Sequence, residues 1–397
     1  MSFFSRIKEP LFYLSLVAVL ITLAFPEHDI NSKAIILSAA CWIFYNSFSE
    51  KLNLFKKNTV LFLIFSSLFW VSCIGLIYTE NLSEGTKILT RNLPFLIFPL
   101  IFSTVRIQEQ TIGFLLKYFS FSVILASGFV LAKATYLKIN HLGDYFHFIK
   151  LEMLQEKHNT YFALFCVVAI AYFLFNLKKK TFWYAGCILY LLGYMYLLSV
   201  RISIVALIVV VFIYLISQRK KIPSKYIYLL FAGCTLIPVA FYLSPSFQEK
   251  FNPHTPEGEP ISDVGSRKIH WQAAIDQISK NNILFGAGTG DGHDGLYENY
   301  KKFGFETGFL EQYNAHNQYI ETVLYYGVFG LIFLILLLFY GLKINYQNRD
   351  YLGISLILTF AVCMVTESIL QRHDGIVLCA FLVSLFSMKK RKLNEKI

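Results

Sequence analysis

The chain has 397 residues, of which 56% are hydrophobic and 15% are charged, and its formal net charge is +11 at pH 7. Its mean hydropathy of +0.53 is too high for a soluble domain of this length, so the composition predicts a polytopic membrane protein. The basic residues are scattered over separate short loops with no aromatic platform between them, which argues against nucleic-acid binding.

About twelve apolar stretches follow one another along the chain, and each is predicted to be a membrane-spanning helix. In chain order they are 10–26, 34–49, 59–78, 90–104, 111–136, 159–177, 181–199, 202–217, 226–244, 318–341, 351–370 and 374–388. A span needs roughly 17–25 apolar residues, so the second, fourth, eighth and twelfth stretches are short for one. The sequence therefore predicts an all-α fold with about twelve transmembrane helices in a single integral membrane domain, 1–397. No cleavage site follows residues 1–10, so we expect no cleavable signal.

The basic residues set the predicted orientation. If both termini are cytoplasmic and the spans alternate, the basic clusters at 178–180, 219–221 and 389–392 all fall on the cytoplasmic side. This is the arrangement that the positive-inside rule requires. The long polar insert at 245–317, between the ninth and tenth spans, is then extracytoplasmic, as is a smaller loop at 137–159.

The insert itself divides into three predicted parts. Its beginning, 244–264, is rich in proline, glycine and acid and is predicted to be a loop. Apolar residues then recur at helical spacing, which predicts an amphipathic helix over 266–280, capped by Ser266 and lying on the outer membrane surface. Those apolar residues are Trp271, Ala274, Ile275 and Ile278. The glycine run 286–292 is predicted to be a flexible turn.

Three basic side chains on the predicted outer face are the strongest candidates for chemistry. Arg201 lies in a link too short to leave the membrane interface, and an arginine at mid-bilayer costs about 2.5–3.5 kcal/mol, so we expect it to meet an anion or a wet cavity. Arg267 opens the helix of the insert, where backbone N–H groups add to an anion site. His316 stands where the insert meets the tenth span, and because an unperturbed histidine titrates near neutral pH, this residue type suits a general base.

Other polar residues are weaker candidates. His158 begins the sixth span and could line the same cavity, while Lys87 and Arg91 could meet an anionic headgroup at the outer end of the fourth. Asn317 and Glu321 follow His316 closely and are expected to contact substrate. The last outer turn carries four ionisable residues that are expected to pair with one another: Glu367, Arg372, His373 and Asp374.

Metal and thiol chemistry are not indicated. Asp291, His293 and Asp294 could hold a metal, but no full ligand set has recognisable spacing. All seven cysteines fall inside apolar stretches, so neither a disulfide framework nor a thiolate metal site is expected. We expect no cofactor. Two arginines with a histidine suit group transfer from a diphosphate-bearing lipid, because guanidinium groups bind phosphate bidentately and a neutral imidazole can deprotonate an attacking sugar hydroxyl.

Several short motifs resemble one known family. His316 and Tyr319 followed by Gly327, Gly330 and Leu331 look like the signature of the O-antigen ligase and polymerase superfamily. The segment with Arg267, Trp271, Gly286 and Gly288 is similar to that family's Arg…Trp…Gly-x-Gly segment, and Ser199-Val-Arg201 resembles its Ser-x-Ser-Arg turn with valine in place of the second serine. Residues 86–99 also look like the family's fourth span. The motifs cover about 200–330.

The resemblance implies a glycosyltransferase embedded in the bacterial inner membrane, with a donor glycan on undecaprenyl diphosphate. It implies that Arg201 and Arg267 hold the diphosphate and that His316 activates the acceptor, with inversion at the anomeric carbon and no metal. Ligases of the family pass the glycan to lipid A-core, and polymerases pass it to a second lipid-linked glycan.

A ligase is the preferred interpretation because the long insert is single and lies late in the chain. A polymerase is the alternative, because the loop 137–159 is a second outer segment with polar residues. A flippase or transporter of lipid-linked glycan is the third interpretation. Transporters usually place ionisable residues in the middle of their spans and contain two related halves, whereas this sequence has few mid-span charges and no evident half-repeat.

Overall fold

The computed structural model describes residues 3–26, 28–219 and 263–388. Seventeen α-helices follow one another in this part, joined by loops and two short 3-10 turns at Leu177–Lys179 and Ile369–Gln371. They are α1 (Phe3–Leu23), α2 (His28–Phe44), α3 (Phe48–Phe65), α4 (Ser67–Gly75), α5 (Leu82–Arg91), α6 (Pro94–Ser103), α7 (Glu109–Ile139), α8 (Phe148–Gln155), α9 (Asn159–Phe175), α10 (Thr181–Leu198), α11 (Arg201–Gln218), α12 (Asp263–Lys280), α13 (Asp294–Lys302), α14 (Glu306–Leu310), α15 (Gln318–Gln347), α16 (Tyr351–Thr366) and α17 (His373–Met388). The described residues contain no β-strand, which confirms the all-α prediction for this part.

Among the described helices, four are long and apolar enough to cross a membrane, namely α7, α10, α11 and α15. The pairs α3–α4 and α8–α9 are bent by 56° and 80°, and they raise the number to six if each pair is one span. The shorter helices α16 and α17 are also apolar. The structure thus supports a membrane protein. The total of about twelve spans and the place of the insert in the topology stay predictions, and the ninth stretch lies outside the described residues.

Two predicted spans are divided for local reasons. The stretch 59–78 is broken at Ser66, whose hydroxyl donates to the Phe62 carbonyl, a side-chain bond that bends helices. The stretch 90–104 is divided between α5 and α6, because Pro94 lacks an N–H group and starts a new helix. Hydropathy averaged over a stretch of residues cannot show either break, because each depends on a single residue.

Helices α9 and α17 form the centre of the bundle. Every residue of α9 from Asn159 to Phe173 is buried, and so is every residue of α17 from Asp374 to Met388. A helix that is apolar on all sides belongs in the interior of a bundle. Helix α9 packs against α7, α10, α11 and α16, while α17 packs against α6 and α15. Both central helices begin at the same end of the molecule, beside the cavity described below.

Helix α15 is interrupted at Gly327, which has φ 63° and ψ −165°. The break removes the helical partners of two carbonyls and two N–H groups, and the segment 283–288 supplies replacements. Ala287 N donates to Leu324 O at 3.1 Å and Gly288 N to Tyr325 O at 3.0 Å. In the other direction, Val328 N and Phe329 N donate to the carbonyls of Ile283 and Leu284, at 2.9 and 3.1 Å. Irregular backbone in a membrane protein needs such internal partners.

The glycine run that follows forms a turn, as predicted, and hydrogen bonds anchor it to the neighbouring helices. The carboxylate of Asp291 accepts hydrogen bonds from the Thr79 hydroxyl and from the N–H groups of Glu80 and Asn81, each at 2.8 Å. The Thr289 hydroxyl donates to Ser72 O at 2.7 Å. This segment of the insert is therefore fixed to the connection between α4 and α5.

The predicted helix of the insert is present as α12, but it begins at Asp263 and not at Ser266. Its buried residues His270, Ala273 and Ala274 face the protein, where α12 packs against α13 and α15. Ile275, which was predicted to belong to the apolar face, is exposed. Residues 244–262 of the predicted loop lie outside the described part.

We expect Gly327→Ala to destabilise the protein. A Cβ at this position would lie 2.3 Å from the carbonyl carbon of Leu284, and the backbone conformation is one that is essentially restricted to glycine. The strain alone costs on the order of 1–3 kcal/mol. Thermal unfolding of the detergent-solubilised protein, followed by size-exclusion chromatography, measures the effect. Gly193→Ala is the matched control, since a Cβ there has no neighbour within 4 Å, and equal melting of the two variants would contradict the prediction.

Candidate functional site

A cavity of about 600 Å³ opens where α9, α11, α12 and the segment after α16 meet. Its size lies within the range of about 300–1,000 Å³ that is usual for ligand pockets. The three side chains that were predicted to be catalytic, Arg201, Arg267 and His316, all line it. His158, Glu367 and Arg372 line it as well. Residues that are distant in sequence thus share one cavity, although their catalytic role stays a prediction.

Arg201 owes its position to a tight connection between two helices. Helix α10 ends at Leu198, and Ser199 then adopts a left-handed conformation with φ 52°. Val200 is extended and Arg201 is the first residue of α11. The two residues between the helices thus place Arg201 at the start of α11, among the residues that line the cavity. Backbone N–H groups at the start of a helix also favour an anion.

His316 lies in a turn that its neighbours hold in an unusual conformation. Its φ is 46°, in the left-handed region, which costs about 1–3 kcal/mol for a residue other than glycine. The side chain of Asn314 accepts a hydrogen bond from His316 N at 2.9 Å. Asn317 caps α15, because its side-chain oxygen accepts from the N–H groups of Tyr319 and Ile320. Asn317 therefore shapes the turn, and no contact places it among the cavity groups.

Glu367 joins the two predicted groups of the insert. Its Oε1 accepts a hydrogen bond from Arg267 Nη2 at 3.0 Å, and its Oε2 lies 3.4 Å from His316 Nδ1. Glu367 is only 14% exposed at its side chain, so its charge is shielded from solvent and its interactions are correspondingly strong. Sequence reasoning missed this role, since Glu367 lies 100 residues from Arg267 and 51 from His316.

The expected pairing within the last outer turn is wrong. Asp374 instead pairs with Lys157, whose Nζ lies 2.7 Å from Asp374 Oδ1 in an ion pair that is almost completely buried. His373 Nε2 lies 2.7 Å from Asn31 Oδ1. Arg372 lines the cavity. A buried ion pair is costly to break from one side, so Lys157 and Asp374 fix the starts of α9 and α17 relative to each other.

His158 also lines the cavity, as predicted for its position. Burial lowers the pKa of its imidazole below the ordinary value, and Arg372 adds to this effect while Glu152 opposes it. Its Nδ1 accepts a hydrogen bond from Thr160 N at 3.3 Å. The neutral ring is therefore favoured, with a hydrogen on Nε2, and His158 can contribute a hydrogen-bond donor to the cavity.

An aromatic cluster packs against the ring of His316. The ring of His270 is 4.8 Å from that of His316 between centroids, and His270 Nδ1 lies 2.9 Å from the Tyr300 hydroxyl. Burial raises the pKa of Tyr300, so its hydroxyl stays protonated and donates to Asn314 O at 3.1 Å. Sequence reasoning missed His270, although its place one turn after Arg267 was a signal that could have been used.

The remaining predicted binding residues do not reach this cavity. Lys87 is exposed and pairs with Glu84 on its own helix at 3.1 Å. Arg91 Nη1 donates to Gln371 O at 2.8 Å, and it lines a separate small cavity of about 30 Å³. Glu321 borders that small cavity and is completely buried, so the prediction that it contacts substrate is not supported. Asp291 and His293 are likewise engaged within the protein, by the connection to α5 and by Glu321.

The cavity thus combines three arginines with three carboxylates and three imidazoles, which belong to His158, His270 and His316. The arginines are Arg201, Arg267 and Arg372, and the acids are Glu152, Glu311 and Glu367. Arginine matches the oxygens of phosphate in geometry and charge, whereas the acids and the side chains of Thr307, Gln312 and Asn314 can accept or exchange hydrogen bonds with hydroxyl groups. The arrangement suits a ligand with an anionic part and a hydroxyl-rich part.

Comparison with known proteins points to one family. The family model described as O-antigen ligase matches residues 186–335, which include Arg201, Arg267 and His316. A protein of Haemophilus influenzae, itself uncharacterized, is 26% identical over 368 residues, which cover 87% of this chain and 90% of that protein. The family match supports a function of the ligase or polymerase type and a place in a bacterial membrane. The resemblance predicted from the motifs is confirmed: over residues 186–335 the chain carries the sequence pattern of the O-antigen ligase family.

Proposed function

We propose that the protein is a glycosyltransferase of the O-antigen ligase type, which moves a glycan from undecaprenyl diphosphate to lipid A-core at the extracytoplasmic face of the inner membrane. The observation that carries the proposal is the meeting of Arg201, Arg267 and His316 around one cavity. These residues come from a helix start, from the insert and from the turn before α15, yet they line the same space.

In this mechanism Arg201 and Arg267 hold the diphosphate. Charge-assisted hydrogen bonds from guanidinium groups contribute about 1.5–3 kcal/mol each, and they also stabilise the diphosphate as it leaves with the bonding electron pair. Arg372 lines the same cavity and adds a third positive charge. The charge on the leaving group is met by side chains, so the proposed reaction needs no metal.

His316 acts as the general base. Its Nδ1 faces Glu367, so the hydrogen of the neutral ring resides on Nδ1 and Nε2 is the nitrogen that takes the proton. The acceptor hydroxyl loses this proton as its oxygen attacks the anomeric carbon from the side opposite the diphosphate, which inverts the configuration. Glu367 then stabilises the imidazolium that forms, as a carboxylate does for a catalytic histidine elsewhere.

One observation keeps the polymerase alternative open. Phe148 and Glu152 of α8, which belong to the smaller predicted outer loop, line the cavity together with the residues of the long insert. An acceptor could therefore contact two outer segments, as expected for a polymerase, where the acceptor is a second lipid-linked glycan.

His316→Ala and Arg267→Ala should each abolish glycan transfer while leaving expression unchanged. Loss of a general base lowers a rate by about 10²–10⁴-fold. Lipopolysaccharide from cells that carry each variant, separated on a gel, measures transfer. Lys268→Ala is the matched control, because Lys268 neighbours Arg267 but is exposed. Normal lipopolysaccharide in cells with either active-site variant would contradict the assigned roles.

Glu367→Gln should reduce the rate of transfer and leave the binding of undecaprenyl diphosphate intact. The amide keeps the shape of the side chain but cannot neutralise the imidazolium, so we expect a decrease in kcat of about 10²-fold. Steady-state kinetics of the purified protein separates kcat from donor affinity. Glu306→Gln, an exposed acid of the insert, is the control. Unchanged kcat with weaker donor binding would mean that Glu367 serves the diphosphate site and not the base.

Glycan transfer should persist in EDTA. The proposed charge stabilisation comes from guanidinium groups, so the purified protein should transfer a glycan from its undecaprenyl diphosphate donor at the same rate with and without the chelator. Activity that is lost in EDTA and restored by a divalent cation would count against this account.

A deletion strain distinguishes ligase from polymerase. For a ligase, we expect lipid A-core without long glycan chains, together with accumulated polymer on the lipid carrier. Single repeat units attached to the core would instead identify a polymerase. The same gel of extracted lipopolysaccharide reports both results, and complementation with the intact gene is the control.

A further inference from the structure

Glu321 is buried in the first turn of α15, close to His316 but outside the lining of the large cavity. Its carboxylate is 0% exposed and does not line the large cavity, so it cannot touch a ligand bound there. A buried carboxylate is costly unless hydrogen bonds satisfy it. It lies in the first turns of α15, where the helix N-terminus favours a negative charge. The carboxylate of Glu321 bonds to His293, Ala315 and Ser368.

One oxygen of Glu321 bonds to the two chain segments that carry the proposed base and its partner. Glu321 Oε2 accepts from Ala315 N at 2.8 Å and from the Ser368 hydroxyl at 3.3 Å. Ala315 directly precedes His316, and Ser368 directly follows Glu367. A single atom therefore ties the turn before α15 to the segment after α16, at the positions next to the 3.4 Å contact between His316 and Glu367.

The other oxygen anchors this arrangement to the insert. Glu321 Oε1 forms a hydrogen bond with His293 Nε2, and His293 Nδ1 lies 3.0 Å from the Tyr297 hydroxyl of α13. The neighbouring residue Gln318 makes a parallel connection, since its Oε1 accepts from Leu370 N at 2.6 Å. Glu321 and Gln318 of α15 thus both hold the segment after α16, through Ser368 and Leu370. The bond to Ala315 N involves Glu321 and not Gln318.

We propose that Glu321 is a positioning residue, which holds His316 at the distance and in the orientation that proton transfer requires. This inference rests on the proposed function. The left-handed conformation of His316 needs such support, because strained backbone persists only where surrounding contacts fix it. Without the bond to Ala315 N, the turn relaxes and the imidazole moves relative to Glu367, while the arginines keep their places.

Glu321→Ala and Glu321→Gln test the proposal together, with Glu298→Ala, an exposed acid on α13, as the control. Hydrogen–deuterium exchange should show faster exchange at the Ala315 amide in Glu321→Ala. Transfer should fall by about 10²-fold, as displacement of a catalytic group by about 1 Å can cause. Binding of undecaprenyl diphosphate should not change. Glu321→Gln keeps a carbonyl oxygen for Ala315 N, so it should retain the slow exchange and most of the rate.

Three results would overturn the proposal. Weaker binding of undecaprenyl diphosphate in Glu321→Ala, to the extent seen in Arg267→Ala, would make Glu321 part of the binding site. Unchanged exchange at Ala315 would remove the tether. Equal loss of activity in Glu321→Gln, with exchange still slow, would show that the charge matters and not the position.

The exchange measurement does not depend on catalysis, so it separates this proposal from the proposed function. If His316→Ala retains full transfer, the function assigned to His316 fails, yet exchange at Ala315 still tests the tether. If Glu321→Ala does not fold, Ser368→Ala removes one contact of the same oxygen. It should accelerate exchange near Glu367 and lower transfer to a smaller extent, and unchanged values for both would reject the positioning role.

Discussion

The backbone pairing between the insert and the broken helix α15 supports the rest of the structure. At Gly327 two helical hydrogen bonds are replaced by four bonds to residues 283–288, so a turn of the insert and the residues after it are fixed to the bundle through main-chain groups. A hydrogen bond that is missing in a membrane interior costs several kcal/mol, which makes this register difficult to shift. Residues 283–288 closely follow α12, which carries Arg267, and they are paired to α15, which begins just after His316. The pairing therefore helps to fix the position of Arg267 relative to His316.

Glu367 shows how one carboxylate can serve two roles in a crowded site. It contacts a permanently charged guanidinium and a titratable imidazole, and it is largely shielded from water. In such an environment a charge acts strongly on its neighbours, so Glu367 links the position of the His316 ring to the orientation of Arg267. The two groups therefore depend on the same carboxylate, with one of its oxygens near each of them.

Hydropathy predicts where helices lie, because burial in an apolar environment depends on composition, and every predicted stretch that falls within the described residues overlaps one or two helices. It could not predict the division at Pro94 and Ser66 into shorter helices. Nor could it predict the break at Gly327, because the bonds that replace the helical ones join residues 37 or 45 positions apart. In the site, Arg201 was selected because an arginine inside a membrane is costly, and Arg267 because it opens a helix. His316 and His158 were selected because they stand where a loop meets a span, and all four residues line one cavity. Glu367 and Asp374 were misinterpreted, since their nearest charges in sequence are not their neighbours in space. Glu321 was predicted to contact substrate, but it is buried and bonds to the turn that carries His316.

The volume of the cavity has a consequence for what the protein can distinguish. About 600 Å³ encloses a molecule of drug size, whereas a glycan polymer on a lipid carrier is far larger. Under the proposed function, only the diphosphate and the sugars next to the reacting bond are enclosed, and the remainder of both chains extends into the surroundings. The enzyme would then be insensitive to the length of the polymer that it transfers, and chain length would have to be set by another component before transfer occurs.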